Sequence, residues 1–347
     1  MKHSFTLLAA TGLLLLATGG RAQTPAAPDK NFQIYLSFGQ SNMEGFPIRD
    51  DATWAELQKD VDPRFRLLAA VDFAAGSRAG ERKAGEWYPA IPPLCRSDSG
   101  LCPADYFGRT LVANLPKEVR VGVINVAVAG CKIELFDKTG YKEHLASLPP
   151  NDFKVNIAKL YGGNPYQRLV DLGRQAQKVG VIKGILLHQG ESNSGDQQWP
   201  AKVKAIYEDL LKDLNLKAAD VPLLVGELVA KDQRGGTAGM NAIIDELPKT
   251  IPTAHVISAE GCTPANNLHF DPAGYKELGT RYAVAMIPLL GLKPLDRQPV
   301  IAPPAPAAPA RGGAGGRRGR GQGAAGGNGN AAPAPAATPP PEAGAAK

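Results

Sequence analysis

Six short apolar runs punctuate the chain: FQIYLSF (32–38), FRLLAAV (65–71), VRVGVINVAV (119–128), IKGILLH (182–188), PLLVGELV (222–229) and AHVIS (254–258). Most are apolar along their whole length and do not alternate, which is the pattern of strands covered on both faces of a parallel sheet. Between them lie stretches with helical spacing: PADYFGRTLVANL (103–115), NPYQRLVDLGRQAQKVG (164–180), QWPAKVKAIYEDLLKDL (198–214), AGMNAIIDELP (238–248) and DPAGYKELGTRYAVAMIPLL (271–290). Asn164 and Asp271 each stand directly before a proline, which suits an N-cap followed by the first helical residue. Strands alternating with helices predict an α/β fold, a three-layer α/β/α sandwich around a mainly parallel sheet.

The two ends depart from this pattern. Residues 1–22 carry Lys2, an apolar core (FTLLAATGLLLLATGG) and a small-residue stop at Gly20-Arg21-Ala22, the order expected of an export signal. The core is too short and too broken by glycine to read as a membrane span, and none is expected in the chain left after signal removal. From about Pro299 to Lys347 the chain is almost wholly Ala, Pro and Gly, with no large apolar side chain after Ile301. Such a segment has nothing to bury against the entropy of ordering and reads as a disordered tail. Residues 23–298 then form one domain, near the upper size of a single core.

Charge adds a restriction. The net +6 resides in the ends: Arg311, Arg317, Arg318, Arg320 and Lys347 against Glu342 in the tail, with Lys2 and Arg21 in the signal. The domain between them is electrically balanced, so the basic character is no argument for a nucleic-acid partner. Four cysteines in an exported chain point to pairing. Cys95 and Cys102 bracket a short loop and are expected to staple it, which leaves Cys131 and Cys262 for a long-range bridge. No CxxC pair, histidine cluster, phosphate loop, dinucleotide fingerprint or His-Glu-x-x-His occurs, so neither a metal nor an organic cofactor is expected.

In open parallel sheets, sites form beyond the carboxyl ends of the strands. Four polar clusters fall there. Ser41 follows the first run in LSFGQSNMEG, Gly130 follows the third, His188, Gln189 and Glu191 follow the fourth, and His269 follows the last in GCTPANNLHFD. A serine in that position needs a base to become nucleophilic, and the base needs an acceptor on its second nitrogen. His3 lies in the signal, His144 has no strand before it and His255 is inside an apolar run, so His188 and His269 remain.

The blocks GQSNMEG, NVAVAGCKI, LLHQGESN and LHFDPAGYKELG resemble those of SGNH hydrolases, more narrowly the family-six-like carbohydrate esterases grouped with sialate O-acetylesterase and acetylxylan esterase. The resemblance runs from about residue 32 to 290. It implies Ser41 as nucleophile, His269 as base, and an oxyanion hole from the amides of Ser41 and Gly130 with the side-chain amide of Gln189. Asn42, His188 and Asn266 would line or brace the site. One departure is visible: the usual Asp-x-x-His reads Asn266-Asn267-Leu268-His269, so the acid passes to Glu191 of the His-Gln-Gly-Glu block, with Asn266 as a further acceptor.

The expected function is that of an exported serine esterase, periplasmic or extracellular, removing acetyl groups from a poly- or oligosaccharide. Two alternatives stay open: a short-chain ester or thioester hydrolase on other substrates, and a glycan-binding protein with impaired catalysis. Trp54, Trp87, Tyr88, Tyr141, Phe153 and Tyr161 are aromatic candidates for stacking on a sugar ring.

Overall fold

The structure, a computed structural model, describes residues 27–45, 51–59 and 61–306. The expected export signal and residues 307–347 of the expected 299–347 tail lie outside the described residues.

Seven strands form one sheet: β1 (Phe32–Gly39), β2 (Phe65–Leu68), β3 (Trp87–Pro89), β4 (Arg120–Ala127), β5 (Val181–His188), β6 (Leu223–Gly226) and β7 (Ala254–Ile257), in the order β3-β2-β4-β1-β5-β6-β7. Every pair is parallel except β2 with β3. Six of the strands fall within the apolar runs of the sequence or within a residue or two of their ends. The three-residue β3 does not, because Trp-Tyr-Pro offers no run to read and its proline suits only an edge.

The helices are α1 (Ser41–Glu44), α2 (Asp51–Lys59), α3 (Pro103–Asn114), α4 (Tyr141–Ala146), α5 (Phe153–Leu160), α6 (Pro165–Ala176), α7 (Trp199–Asp213), α8 (Asn241–Ile244), α9 (Leu247–Thr250) and α10 (Pro272–Leu289). They cover both sheet faces. Tyr35 of β1 meets Phe107 of α3 edge-on at 4.8 Å, while Phe38, of opposite parity, meets Phe136 at 5.1 Å on the other side. The anticipated N-caps are present: Asn164 accepts from Gln167 N at 3.0 Å and Asp271 from Gly274 N at 2.7 Å. The single helix expected over 238–248 is instead two short ones, since Pro248 opens α9.

The chain leaves β1 toward β2 on one side and leaves β4 toward β5 on the other, so the topology reverses beside β1. A crevice opens at the carboxyl ends of β4, β1 and β5, the place where such sheets bind ligands.

The cysteine expectation is overturned. All four thiols are free and buried. Cys95 lies 3.1 Å from Tyr161 Oη and reaches Ala127 O, while Cys102 accepts from Asn125 Nδ2, so each is engaged separately along β4. Cys131 packs on Gly39 O at the centre of the sheet. Cys262 sits instead among the charges of Arg281 and Glu277 on α10. Burial raises every one of these thiols, which keeps them protonated and inert.

After α10 the chain returns along the domain. Arg297 pairs with Glu277 at 2.6 Å, and Val300 N donates to the same carboxylate. Ala302 N then donates to Gly261 O at 3.0 Å, and Ala305 N to Asp232 O at 2.9 Å. The compact unit extends to Ala305.

Candidate active site

β1 ends at Gly39, whose φ of +149° and contact with β5 admit no side chain; a Cβ would stand 2.1 Å from His188 O. Gln40 N donates to that same His188 carbonyl, and Gln40 O then accepts from Met43 N and Glu44 N to start α1. Asn125 of β4 donates to Met43 O at 2.9 Å and holds the far end of this single turn. Ser41 is therefore the first residue of a one-turn helix fixed at both ends. Its Oγ lies 2.9 Å from His269 Nε2.

His269 sits in the loop between β7 and α10. Asn266 Oδ1 accepts from Leu268 N at 2.8 Å and His269 N at 2.9 Å, and stands 3.2 Å from His269 Nδ1. Backbone N–H groups only donate, so this atom of Asn266 is the oxygen. Nδ1 therefore carries the proton toward it, and Nε2 presents its lone pair to Ser41. That is the tautomer a general base requires. Burial lowers His269 below the ordinary imidazole value, so it is neutral and able to accept a proton at pH 7.

Beyond β4, Val128 to Cys131 form a turn closed by Cys131 N to Val128 O. Gly130 occupies its third position with φ +64°. Glu44 Oε2 accepts from Ala129 N at 2.6 Å, and Ser192 Oγ donates to Gly130 O at 2.9 Å. The turn is thus held from both α1 and the loop after β5. Among the described residues neither Ser41 N nor Gly130 N has an acceptor. Two unspent N–H groups beside a hydroxyl suit a developing oxyanion.

Glu191 does not meet the imidazole. Its Oε1 accepts from Asn42 Nδ2 at 2.6 Å, and Oε2 is buried without a partner among the described residues. Asn42 stands between: the same Nδ2 reaches Leu268 O at 2.9 Å, and its Oδ1 accepts from Tyr275 Oη at 2.9 Å. The acid expected on His269 is therefore bonded to Asn42, and Asn266 takes the place beside Nδ1. The physical reason is that Glu191 starts a 3₁₀ turn on β5, under α1, while Nδ1 points back into its own loop. Burial raises Glu191 to about 7.

A family model described as carbohydrate esterase, sialic acid-specific acetylesterase, matches residues 31–288. The chain belongs to this family. Solved structures agree with it in fold. A protein from Arabidopsis thaliana is 20% identical with a TM-score of 0.53, over 75% of this chain and 99% of its own. NanS is 17% identical with a TM-score of 0.54, over 77% and 99%. A carbohydrate acetylesterase from Xanthomonas citri is 19% identical with a TM-score of 0.50, over 73% of this chain and 55% of that one.

In this acetylesterase-family chain a cavity of about 360 Å³ opens over Ser41, lined also by Gln40, Gly130, Phe153, Glu191 and His269. Of the aromatic residues singled out in the sequence, Phe153 alone lines it, with 54% of its surface exposed. Trp54 and Tyr161 are buried, and Trp87 packs on Phe32.

Two expected site residues lie beneath the cavity, not in it. His188 is fully buried, bonded through Nε2 to Glu227 O, and burial lowers it to about 4. Gln189 is equally buried. Its Oε1 accepts from Trp199 Nε1, and its Nε2 is engaged by Asn193 Oδ1, Cys131 O and Gln40 Oε1. It has no donor left for an oxyanion. Glu44 and Ser192, which brace the Gly130 turn, were missed although both fall inside the GQSNMEG and HQGESN blocks. Their type gave no signal, because an acid or serine that bonds a distant backbone looks like any surface residue in one dimension.

Proposed function

We propose that this protein is an exported serine esterase that removes O-acetyl groups from a carbohydrate through an acetyl-enzyme. The observation that carries the reading is the 2.9 Å approach of His269 Nε2 to Ser41 Oγ, with Nδ1 turned to Asn266. Ser41 Oγ attacks the acetyl carbonyl carbon as its proton passes to His269 Nε2. The tetrahedral oxyanion takes hydrogen bonds from Ser41 N and Gly130 N. It collapses as Nε2 protonates the sugar oxygen, which leaves as a free hydroxyl. Water then attacks acetyl-Ser41, gives a proton to Nε2, and acetate departs as Ser41 Oγ regains it.

Asn266 fixes the imidazole in this scheme, and Glu191 supports it through Asn42. Phe153 at the cavity rim offers a flat apolar face to a sugar ring. An acetylated poly- or oligosaccharide fits both the family and this rim. No helix among the described residues is long and apolar enough to cross a membrane. Export rests on residues 1–22 and is checked by sequencing the amino terminus of the mature protein.

The test is acetate release from a panel of acetylated glycans, with aryl acetate and aryl octanoate as soluble substrates. Wild type should act on the glycans and on the acetate ester in preference to the octanoate. Ser41→Ala and His269→Ala should each lower kcat by about 10³-fold or more. Full activity in Ser41→Ala excludes the mechanism.

A further inference from the structure

Gln189 is spent, yet Gln40, which lines the cavity over Ser41, has a side-chain donor that meets no acceptor among the described residues. We infer that Gln40 supplies a third oxyanion donor through its side-chain Nε2, completing the hole that Ser41 N and Gly130 N begin. This rests on the serine-esterase reading and gives a role to Gln40, which precedes Ser41 in the GQSNMEG block and was assigned none there.

The argument follows a chain of hydrogen bonds whose direction is fixed at both ends. Trp199 Nε1 can only donate, so the Gln189 atom it meets is Oε1. The other end of Gln189, facing Cys131 O, must then be Nε2. That Nε2 lies 3.2 Å from a Gln40 side-chain atom that is also 3.2 Å from Ser192 N. Two donors converge on this atom, so it is Oε1 of Gln40. The remaining terminal atom of Gln40 is an NH₂ group.

Among the described residues Gln40 Nε2 donates to no acceptor, nor is it one of the sealed-in polar atoms without a partner. Gln40 as a whole is only 3% exposed, and it lines the cavity over Ser41. An unpartnered donor outside that sealed-in set keeps some accessible surface, and the cavity that Gln40 lines is where an oxyanion could meet it. Desolvated donors aimed at the site before substrate arrives need no reorganisation when charge develops. The buried Trp199–Gln189 pair holds Gln40 in that pose from below, which gives Gln189 a positioning role.

Gln40→Glu is the discriminating substitution. A carboxylate keeps an oxygen for Gln189 Nε2 and Ser192 N but places an acceptor where the donor was. On aryl acetate, kcat should fall by about 10²–10³-fold with KM within about threefold. Affinity for an aryl boronic acid, which adds to Ser41 as a tetrahedral anion, should fall in parallel. A melting temperature measured alongside identifies a variant that fails to fold. Independently of any variant, the wild-type adduct with an aryl phosphonate should place the phosphonyl oxygen within hydrogen-bond distance of Gln40 Nε2. An oxygen turned away from Gln40, or a folded Gln40→Glu with kcat within threefold of wild type, overturns the inference. Ser41→Ala on the same ester keeps the two readings apart: if it is inactive while folded Gln40→Glu is not, Gln40 alone is misassigned.

Discussion

Asn42 couples Glu191 to Leu268: one Nδ2 donates to the carboxylate at 2.6 Å and to the loop carbonyl at 2.9 Å. The carboxyl group that the sequence offers as the third catalytic member thus acts at one remove, by holding the peptide that precedes the base.

Glu191→Gln keeps an oxygen for Asn42, so kcat should stay within about tenfold of wild type, whereas Asn42→Ala should lower it by about 10²-fold. Steady-state kinetics on an aryl acetate compare the two. A Glu191→Gln loss equal to that of Ser41→Ala returns Glu191 to direct contact with the chemistry.

Asn266→Asp should raise kcat, by about tenfold, because a carboxylate stabilises the imidazolium that a neutral amide only orients. Asp retains an oxygen for Leu268 N and His269 N, so the loop is preserved. The gain is modest because the productive tautomer is already selected. Asn266→Ala loses that selection and should fall well below wild type. Pre-steady-state acylation rates measure both.

Stability should fall at the acid and alkaline sides for different buried groups. His188 is lowered from 6.5 to about 4, so the unfolded chain takes up its proton first. Its contribution is intact above pH 6.5, declines as pH drops toward 4, and amounts to about 3 kcal/mol. Glu191 is raised from 4.5 to about 7, so its contribution is intact below 4.5 and is lost as pH rises through 7. Urea unfolding at pH 4.5, 6 and 8 should show a steeper rise from 4.5 to 6 than a His188→Asn variant shows. At pH 8, Glu191→Gln should exceed wild type by no more than about 3 kcal/mol.

Phe153→Ala should raise KM for an acetylated oligosaccharide about fivefold and leave KM for a small acetate ester nearly unchanged, since only the sugar spans the rim. Equal effects on both substrates would place the ring at the acyl group instead.

The sandwich was legible because buried parallel strands are apolar throughout, and that signal survives in one dimension. Ser41, His269 and Gly130 were legible for a related reason: each follows a strand, and a strand's carboxyl end is a position that sequence can name. The pairing of Ser41 with His269 was given by the resemblance, but what the second imidazole nitrogen and the cavity amides would meet was not. Whether Glu191 or Asn266 meets the imidazole, and whether Gln189 or Gln40 keeps a free donor, depends on where the side chains point once the strands and loops have packed. The cysteines failed likewise. Spacing alone suggested a staple, but Cys95 and Cys102 settle against separate points of β4, Cys131 packs on Gly39 of β1, and Cys262 sits among charges of α10.

The return of the chain after α10 bears on where the protein can be shortened. Ala302 holds Gly261, and Arg281 binds both Val300 O and the carbonyls of Ser258 and Glu260, at the root of the loop that ends in His269. A cut after residue 306 spares this clasp, whereas a cut after 298 removes it and frees one anchor of the base. Proteolysis between residues 298 and 306 would then slow turnover without touching the cavity, making this short segment a remote tether on proton transfer.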